Sequence, residues 1–250
     1  MLDTITFDLW NTLLSNTPQD NQKYSLKRVD KISKILQQNG REIKSDHLLD
    51  AYHKGFEKCK ETWGRNLDLS TEEQLNIMFE FLDDEKFKDI TRDLMSHLVE
   101  AFVSPILEDP PDLIDGAEGV LTQVKKKGYK VGLICNTGRT PGKTIKVLLE
   151  RLGMIKYFDV TTFSNELKIR KPDPRIFLYT LTQLKSRSQD SAHVGDLIDV
   201  DVWGAKNVGM VSVHFNPDLI PSDDISPDFA IRQLKELRWI LSDLKEVQKI

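Results

Sequence analysis

The sequence has few of the residues from which disulfide-rich or zinc-stabilised proteins are built. It contains only two cysteines, Cys59 and Cys135, which fall in a helix-like and a strand-like segment respectively. A structural disulfide needs an oxidising compartment and close geometry, so we expect two reduced thiols. The five histidines are scattered, and none is paired with a cysteine at the spacing of zinc ligands. These absences argue against a disulfide scaffold and against a zinc site.

Long apolar runs and blocks of one charge are also missing. No hydrophobic stretch approaches the roughly 20 residues that span a bilayer, and no basic region with a small-residue cleavage site opens the chain. The 35 basic and 39 acidic residues are mixed along the whole length, with a formal net charge of −4. No basic face for nucleic acid or polybasic tail for a membrane stands out. We expect a cytoplasmic protein, monomeric or homodimeric, whose partner is a small molecule.

Short apolar runs rich in β-branched and aromatic residues predict buried strands. They lie at Ile5–Leu9, Val131–Cys135, Phe158–Phe163, Ala192–Gly195 and Met210–Phe215, with a last strand at Phe229–Ile231 before an amphipathic helix from Gln233. From Gly116 onward helices and strands alternate, with breaks at Gly128, Thr140-Pro141 and Asp173-Pro174. This alternation predicts an α/β fold, a Rossmann-like doubly wound parallel sheet with helices on both faces.

Residues 16–108 differ, because their helical patterns have no strands between them, and such a segment is too long to be a loop. It predicts a helical domain inserted into a core made of residues 1–15 and 109–250. Four apolar stripes predict its helices: Leu26, Val29, Ile32 and Leu36; Leu48, Tyr52, Phe56, Cys59 and Trp63; Leu75, Met78 and Leu82 after a Ser70–Glu73 capping box; and Phe87, Ile90, Leu94, Leu98 and Phe102. We expect these side chains, with Met95, to fill the core of a bundle rather than line a pocket.

Ligands of an open parallel sheet bind beyond the carboxyl ends of its strands. The polar residues at those ends are Asp8, Asn136, Thr137, Asp196 and Asp201, and Lys171 precedes a proline-led helix. Carboxylates in one cleft repel one another unless a bound cation offsets their charges. Mg²⁺ prefers carboxylate and carbonyl oxygens, so we predict a magnesium site at Asp8 and Asp196, with Asp201 as a further candidate ligand. The lysine supplies the complementary charge for an anionic substrate.

These segments, in this order and at these strand ends, resemble the four motifs of the haloacid dehalogenase-like hydrolase superfamily. Lys171-Pro172-Asp173-Pro174 and Val194-Gly195-Asp196 with Asp201 carry most of the resemblance. The helical insert resembles the cap of the first type in that superfamily. Nearly the whole chain is covered.

The resemblance implies roles for individual residues. Asp8 would attack an electrophilic centre and form a covalent aspartyl intermediate that water hydrolyses. Lys171 would neutralise charge on the nucleophile and the transferred group. Asp196 would hold Mg²⁺ together with the Asp8 carboxylate and the main-chain carbonyl of Trp10. Asp201 would orient Lys171 or a metal-bound water.

The first motif departs from the phosphatase pattern at Trp10. Phosphatases of the superfamily usually have a second aspartate there, which protonates the leaving alcohol, and an indole cannot shuttle protons. Dehalogenases have an aromatic residue at this position, but they lack the Gly195-Asp196 pair, which would be a bare carboxylate beside Asp8 without a cation. Magnesium chemistry is therefore favoured, with Trp10 narrowing the pocket. Thr12 matches the pattern, and Asn11 replaces a glycine in a left-handed turn that asparagine tolerates.

The second motif also departs, because Cys135 stands where a serine or threonine donates a hydrogen bond to the transferred group. A thiol is a weak donor. Either Asn136 and backbone N–H groups suffice, or Thr137 takes part of that role. A catalytic role for the cysteine itself is disfavoured, since no histidine is placed to activate it.

Three hypotheses follow from these residues. The favoured one is a Mg²⁺-dependent phosphatase of a small phosphorylated metabolite. The second is a halide-releasing hydrolase of the 2-haloacid dehalogenase type, motivated by Trp10. The third is a catalytically weak binding or interaction protein that keeps the fold and the metal but has lost turnover with the second aspartate.

Overall fold

The computed structural model describes residues 2–82, 87, 89–217 and 225–241. Its centre is a six-stranded parallel sheet with strand order β3-β2-β1-β4-β5-β6. The strands are β1 (Thr4–Phe7), β2 (Lys130–Cys135), β3 (Val160–Phe163), β4 (Ser191–Gly195), β5 (Val211–Phe215) and β6 (Phe229–Ile231). The order reverses between β1 and β4, and a doubly wound sheet binds its ligands at such a switch point.

All six predicted strands are confirmed: β6 has the predicted bounds, and the other five differ from the prediction by one or two residues at an end. The central strand β1 is buried along its whole length and pairs with β2 on one side and β4 on the other, with Phe7 opposite Leu133 and Val194. It ends at Phe7 rather than at the predicted Leu9, so Asp8 begins the loop beyond the sheet. The third strand begins at Val160, because residues Ile155–Tyr157 form a 3₁₀ turn.

Helices cover both faces of the sheet, which confirms the predicted fold class. They are α6 (Ala117–Lys126), α7 (Gly142–Arg151), α8 (Ser164–Leu167), α9 (Pro174–Gln183) and α10 (Trp203–Asn207). One buried cluster includes residues of α6 and α7, and a second one unites α9 and α10 with Ile134 of β2. A parallel sheet needs this cover because its strands are apolar on both sides.

The predicted helix ends are confirmed at two places and wrong at a third. Asp173 caps α9 by accepting a hydrogen bond from the Arg175 N–H, with Pro174 at the first helical position. Gly128 follows α6 with a φ of 82°, in the left-handed region. Helix α7, however, is capped by Pro141 and not by Thr140. The Thr140 hydroxyl instead accepts a hydrogen bond from Arg28.

The segment predicted as an insert contains α1 (Pro18–Gln38), α2 (Ser45–Trp63), α3 (Thr71–Phe79) and α4 (Arg92–Val103), followed by the short α5 (Pro105–Glu108). These four long helices share a buried cluster of their own that includes Met78 and Met95. The predicted capping box is confirmed, since Ser70 and Glu73 exchange hydrogen bonds at the start of α3. We call α1–α4 the helical bundle.

Three details of the helical stripes were predicted wrongly. Leu26 is 51% exposed, and Arg28 lies on the buried face of α1 instead. The fourth helix begins at Arg92, capped by Thr91, so Phe87 and Ile90 precede it although both pack on the bundle core. Phe56 and Trp63 line the cavity between the bundle and the sheet rather than the bundle core.

Two further predictions concern the chain ends and membranes. The helix predicted from Gln233 begins as a 3₁₀ turn at Leu234–Glu236 and is helical over 237–241; its remainder lies outside the described residues. Among the helices of the described ranges, none has both the length and the apolar character to cross a bilayer.

Candidate active site

The carboxylate of Asp8 lies at the edge of the sheet where β1 and β4 end. Its backbone N–H donates to the carbonyl of Val194 at 2.9 Å, which continues the β1–β4 ladder by one residue. The Asp8 side chain is buried, and its Oδ1 accepts a hydrogen bond from Lys171 Nζ at 2.5 Å. The predicted nucleophile and the predicted lysine are thus in direct contact.

Lys171 is held between two carboxylates. Its ammonium group also donates to Asp201 Oδ1 at 2.7 Å, and its side chain is only 1% exposed. The Asn136 side chain forms two hydrogen bonds with the backbone of Lys171. Its Nδ2 donates to the Lys171 carbonyl at 3.0 Å, and its Oδ1 accepts from the Lys171 N–H at 2.9 Å. Asn136 therefore positions the lysine through main-chain contacts.

Asp201 belongs to a π-helical turn, Ile198–Val202, that follows β4. Its Oδ2 accepts a hydrogen bond from the N–H of Leu197 at 3.0 Å. A Cβ at position 195 would overlap the Asp201 carboxyl group, so Gly195 is required for this close approach. Both oxygens of Asp201 are engaged by protein donors, which makes it the counter-ion of Lys171.

His193 completes this arrangement from within β4, although it lies outside the sequence motifs of the site. Its Nε2 lies 3.1 Å from Asp201 Oδ1, and its Nδ1 lies 2.8 Å from Thr6 Oγ1. Burial lowers the pKa of His193. A neutral ring that donates through Nε2 to Asp201 accepts at Nδ1 from the threonine hydroxyl. The alternation of side chains along β4 could have indicated that His193 lies near the site. It places His193 on the same face of the strand as Gly195.

The charges of the site are strongly coupled. Burial raises the pKa of Asp8 to about 6, against the opposing influence of Lys171. Burial, with the negative charges of Asp8 and Asp201, raises the pKa of Asp196 to about 8. Burial also opposes ionisation of Asp201, but Lys171 and His193 outweigh it and lower that pKa. The two carboxylates likewise raise the pKa of Lys171 despite its burial.

The donor atoms of this cluster fit a divalent cation. Oxygens of Asp8, Asp196 and Asp201 lie within 4.8 Å of one another. When all are ionised, three carboxylates face one ammonium group, so two negative charges remain, and they fall on the two residues whose pKa values are raised. Hard cations such as Mg²⁺ take oxygen ligands of this kind. The arrangement can therefore hold a metal ion, chiefly through Asp8 and Asp196.

The loop after Asp8 contains the remaining residues of the first motif. Asn11 has a φ of 56°, the left-handed conformation that was predicted for it. Trp10 is half-buried and lines the cavity above Asp8. Thr12 is fully buried, and its hydroxyl lies 3.5 Å from Asp196 Oδ1. No proton-transfer group stands at position 10.

The second motif separates into three different environments. Cys135 is fully buried at the end of β2, and burial, reinforced by the negative charge of Asp8, raises its pKa well above the ordinary value. Thr137 lines the cavity, but its hydroxyl donates to Asp68 at 3.2 Å and its N–H donates to Ser164 at 2.9 Å. Asn136, described above, contacts the lysine. Cys135 does not belong to the cavity wall.

A cavity of about 830 Å³ connects this site with the helical bundle. Its lining includes five residues of the bundle or of the sheet-edge loops that lie outside the sequence motifs: Arg28, His53, Glu57, Arg139 and Arg170. Below this lining, the buried carboxylate of Asp68 accepts hydrogen bonds from Arg170 at 2.8 Å, Trp63 at 2.9 Å and the Ser164 hydroxyl. Spacing along the chain carries no signal for these contacts.

A known protein family matches most of the chain. The family model of the haloacid dehalogenase-like hydrolases matches residues 2–209. The glyceraldehyde 3-phosphate phosphatase of Methanopyrus kandleri is 32% identical over 145 residues, which are 55% of this chain and 58% of that protein. The chain thus spans little more than half the length of this curated relative.

Two solved structures are similar over nearly their whole length. A HAD phosphatase from Thermococcus onnurineus is 26% identical, with a TM-score of 0.64 and coverage of 96% of this chain and 98% of that one. A 2-haloacid dehalogenase from Pseudomonas syringae is 22% identical, with a TM-score of 0.71 and coverage of 98% and 100%. The second likeness concerns the fold alone.

Proposed function

Because this chain belongs to the haloacid dehalogenase-like hydrolase family, we propose that it is a Mg²⁺-dependent phosphatase that acts on a small phosphorylated metabolite through Asp8. The observation that carries the proposal is the cluster of Asp8, Lys171, Asp196 and Asp201 at the sheet edge, with two negative charges beyond what Lys171 neutralises. A dication and a phosphoryl group together complement that arrangement.

In the first step an oxygen of the Asp8 carboxylate attacks the phosphorus atom. The bond between phosphorus and the ester oxygen breaks, its electron pair leaves with the alcohol oxygen, and that oxygen takes a proton from solvent. Water then attacks the phosphorus of the aspartyl phosphate, inorganic phosphate leaves, and the carboxylate of Asp8 is restored. With a pKa of about 6, Asp8 is mostly ionised at neutral pH.

Lys171 and Asp201 support both steps as a fixed pair. The ammonium group neutralises charge on Asp8 and on the phosphoryl oxygens. Since Asp201 remains its counter-ion, the lysine stays charged when the Asp8 carboxylate becomes an ester. Mg²⁺, when bound by Asp8, Asp196 and the carbonyl of Trp10, supplies further positive charge for the transferred group.

The helical bundle is proposed as a cap over this site. In this division residues 1–15 and 109–250 form the catalytic core and residues 16–108 form the cap. Support comes from the cavity, which is lined both by bundle residues such as Arg28 and Phe56 and by sheet-edge residues such as Asp8 and Lys171. Bundle residues would then contact the leaving group of the substrate.

A halide-releasing hydrolase is the second candidate, and Trp10 favours it. Halide leaves without a proton, so an indole at this position costs that reaction nothing. The intact Asp196 opposes it, because a third carboxylate beside Asp8 adds repulsion that only a cation relieves. Release of halide from a panel of 2-haloacids in metal-free buffer would support this candidate over the phosphatase.

The first test is hydrolysis of p-nitrophenyl phosphate with and without Mg²⁺. We expect metal-dependent turnover that falls at least about 10³-fold in Asp8→Asn, since the amide cannot form the covalent intermediate. Asp199→Asn is the matched control, because Asp199 is an exposed carboxylate in the turn after β4, and this variant should retain turnover. Activity that persists in EDTA or in Asp8→Asn would overturn the proposal.

A further inference from the structure

Two arginines of the cavity have only uncharged partners among the residues that the structure describes. Arg28 is 3% exposed and donates to the Phe102 carbonyl, the Tyr52 hydroxyl and the Thr140 hydroxyl. Arg139 donates to the Ser25 hydroxyl at 3.4 Å. Within the described ranges no carboxylate forms an ion pair with either guanidinium group. We call Arg28 and Arg139 the arginine pair.

The neighbouring Arg170, by contrast, has a negatively charged partner. Its guanidinium group is bound to the buried carboxylate of Asp68 at 2.8 Å. A buried charge without such a partner is costly, and burial lowers the pKa of Arg139 to about 10. The arginine pair thus places two uncompensated positive charges on the wall of the cavity that contains Asp8.

Arg139 is also held in a defined position. Its guanidinium carbon lies 3.7 Å from the ring centroid of Tyr52 and 3.8 Å from that of Phe56. Stacking against rings occupies the faces of the group and leaves its N–H edge for an oxyanion. Arg28 in turn donates to the hydroxyl of the same Tyr52 at 3.2 Å. The two cations therefore share one aromatic support.

The chain brings Arg139 close to the reaction centre. It follows Asn136 by three residues, so their Cα atoms lie at most about 11 Å apart. Asn136 holds the backbone of Lys171, which contacts Asp8. Asp8, Lys171 and Arg139 all line the same cavity, so one small molecule can contact the catalytic cluster at one end and Arg139 at the other.

We propose that Arg139, supported by Arg28, binds a second anionic group on the leaving-group side of the substrate, so that the preferred substrates are small phosphate monoesters that also carry a carboxylate or a second phosphate. This inference rests on the proposed phosphatase function. The second anion neutralises the arginine pair, and the phosphoryl group lies at Asp8 and Lys171.

The test compares three three-carbon substrates that differ in the distal group. Glycerol 3-phosphate has no second anion, 3-phosphoglycerate has a carboxylate, and glycerol 1,3-bisphosphate has a second phosphate. We expect kcat/KM of the wild type to be about 10- to 100-fold higher for an anionic member of the set, as for one charge-assisted hydrogen-bonded contact. The member that gains most identifies the second anion.

Arg139→Gln should bring this ratio close to one, and Arg139→Lys should retain part of it because a cation remains. The matched control is Arg65→Gln, which removes an exposed arginine outside the cavity lining and should leave the ratio unchanged. Equal kcat/KM for all three substrates in the wild type, or an unchanged ratio in Arg139→Gln, would overturn the inference even if p-nitrophenyl phosphate is hydrolysed.

Equilibrium binding separates this inference from the failure of the proposed function. In the Asp8→Asn background, calorimetry with 3-phosphoglycerate, glycerol 1,3-bisphosphate and glycerol 3-phosphate needs no turnover. Tighter binding of an anionic member, lost on adding Arg139→Gln, would support the anion subsite even in a protein without phosphatase activity. Equal binding of all three compounds would refute it.

Discussion

Single side chains decide the chemistry of this site, and Trp10 is the one that departs furthest from the phosphatase pattern. It lines the same cavity as Asp8, the proposed nucleophile, and it stands where phosphatases of the family usually have the carboxylic acid that protonates the leaving group. General acid catalysis typically contributes about 10²–10⁴ in rate. The protein should therefore favour phosphate esters whose leaving group needs little help from a proton.

Trp10→Asp tests this view of the residue. The new carboxyl group should raise kcat/KM for an alkyl phosphate at least about 10-fold relative to p-nitrophenyl phosphate, since only the alkoxide needs a proton. Trp10→Asn is the control, because it opens the same space without an ionisable group. Equal changes in the two variants would mean that the tryptophan acts only by filling space.

At the scale of whole elements, one buried carboxylate forms a strong link between the helical bundle and the sheet. Asp68, in the loop between α2 and α3, binds Arg170, Thr137 and Ser164 of the sheet-edge loops. An exposed ion pair between Glu73 and Lys168 joins the same two regions at the surface. Burial makes the first link strong, whereas solvent makes the second weak.

Asp68→Asn should lower the free energy of unfolding by about 3 kcal/mol, because it leaves Arg170 without its counter-ion in a largely buried position. Lys168→Gln, which removes only the exposed pair, should cost less than about 1 kcal/mol. Urea denaturation measures both values. In the double variant Asp68→Asn, Arg170→Gln the losses should be less than additive; strict additivity would argue against the pair.

For the molecule as a whole, the carboxylate cluster makes stability depend on pH and on metal. The folded state raises the pKa of Asp8 to about 6 and that of Asp196 to about 8, both from 3.8. The folded protein therefore binds protons more tightly than the unfolded chain. This contribution is fully present below pH 4 and is lost as pH rises through 6 to 8. Asp201 has the opposite sign, but its contribution is lost only in strong acid.

The metal-free protein should consequently lose thermal stability between pH 5 and pH 8, with a fall in Tm of about 5 °C. Added Mg²⁺ should restore it at pH 8 by binding the ionised carboxylates. Thermal denaturation followed by circular dichroism, in EDTA and in Mg²⁺, measures both effects. Asp196→Asn should remove most of each. An identical Tm with and without Mg²⁺ at pH 8 would contradict a cation site here.

Local patterns predicted the strands and the helix caps at Asp173 and Ser70. They also predicted that four charged residues meet at one sheet edge: Asp8, Lys171, Asp196 and Asp201. A buried parallel strand is a continuous apolar run, and the carboxyl ends of such strands converge on one edge of the sheet. The left-handed turn at Asn11 was equally local.

Other features depend on contacts between distant segments, to which spacing along the chain gives no guide. Asp68 meets Ser164, and Arg139 meets Tyr52 and Phe56, only after the bundle packs on the sheet. Arg28, and not Leu26, lies on the buried face of α1, because that helix packs against a polar cavity as well as an apolar core. Hydrophobic periodicity reports which side of a helix avoids water. It does not report which polar group of a distant element that side of the helix will contact.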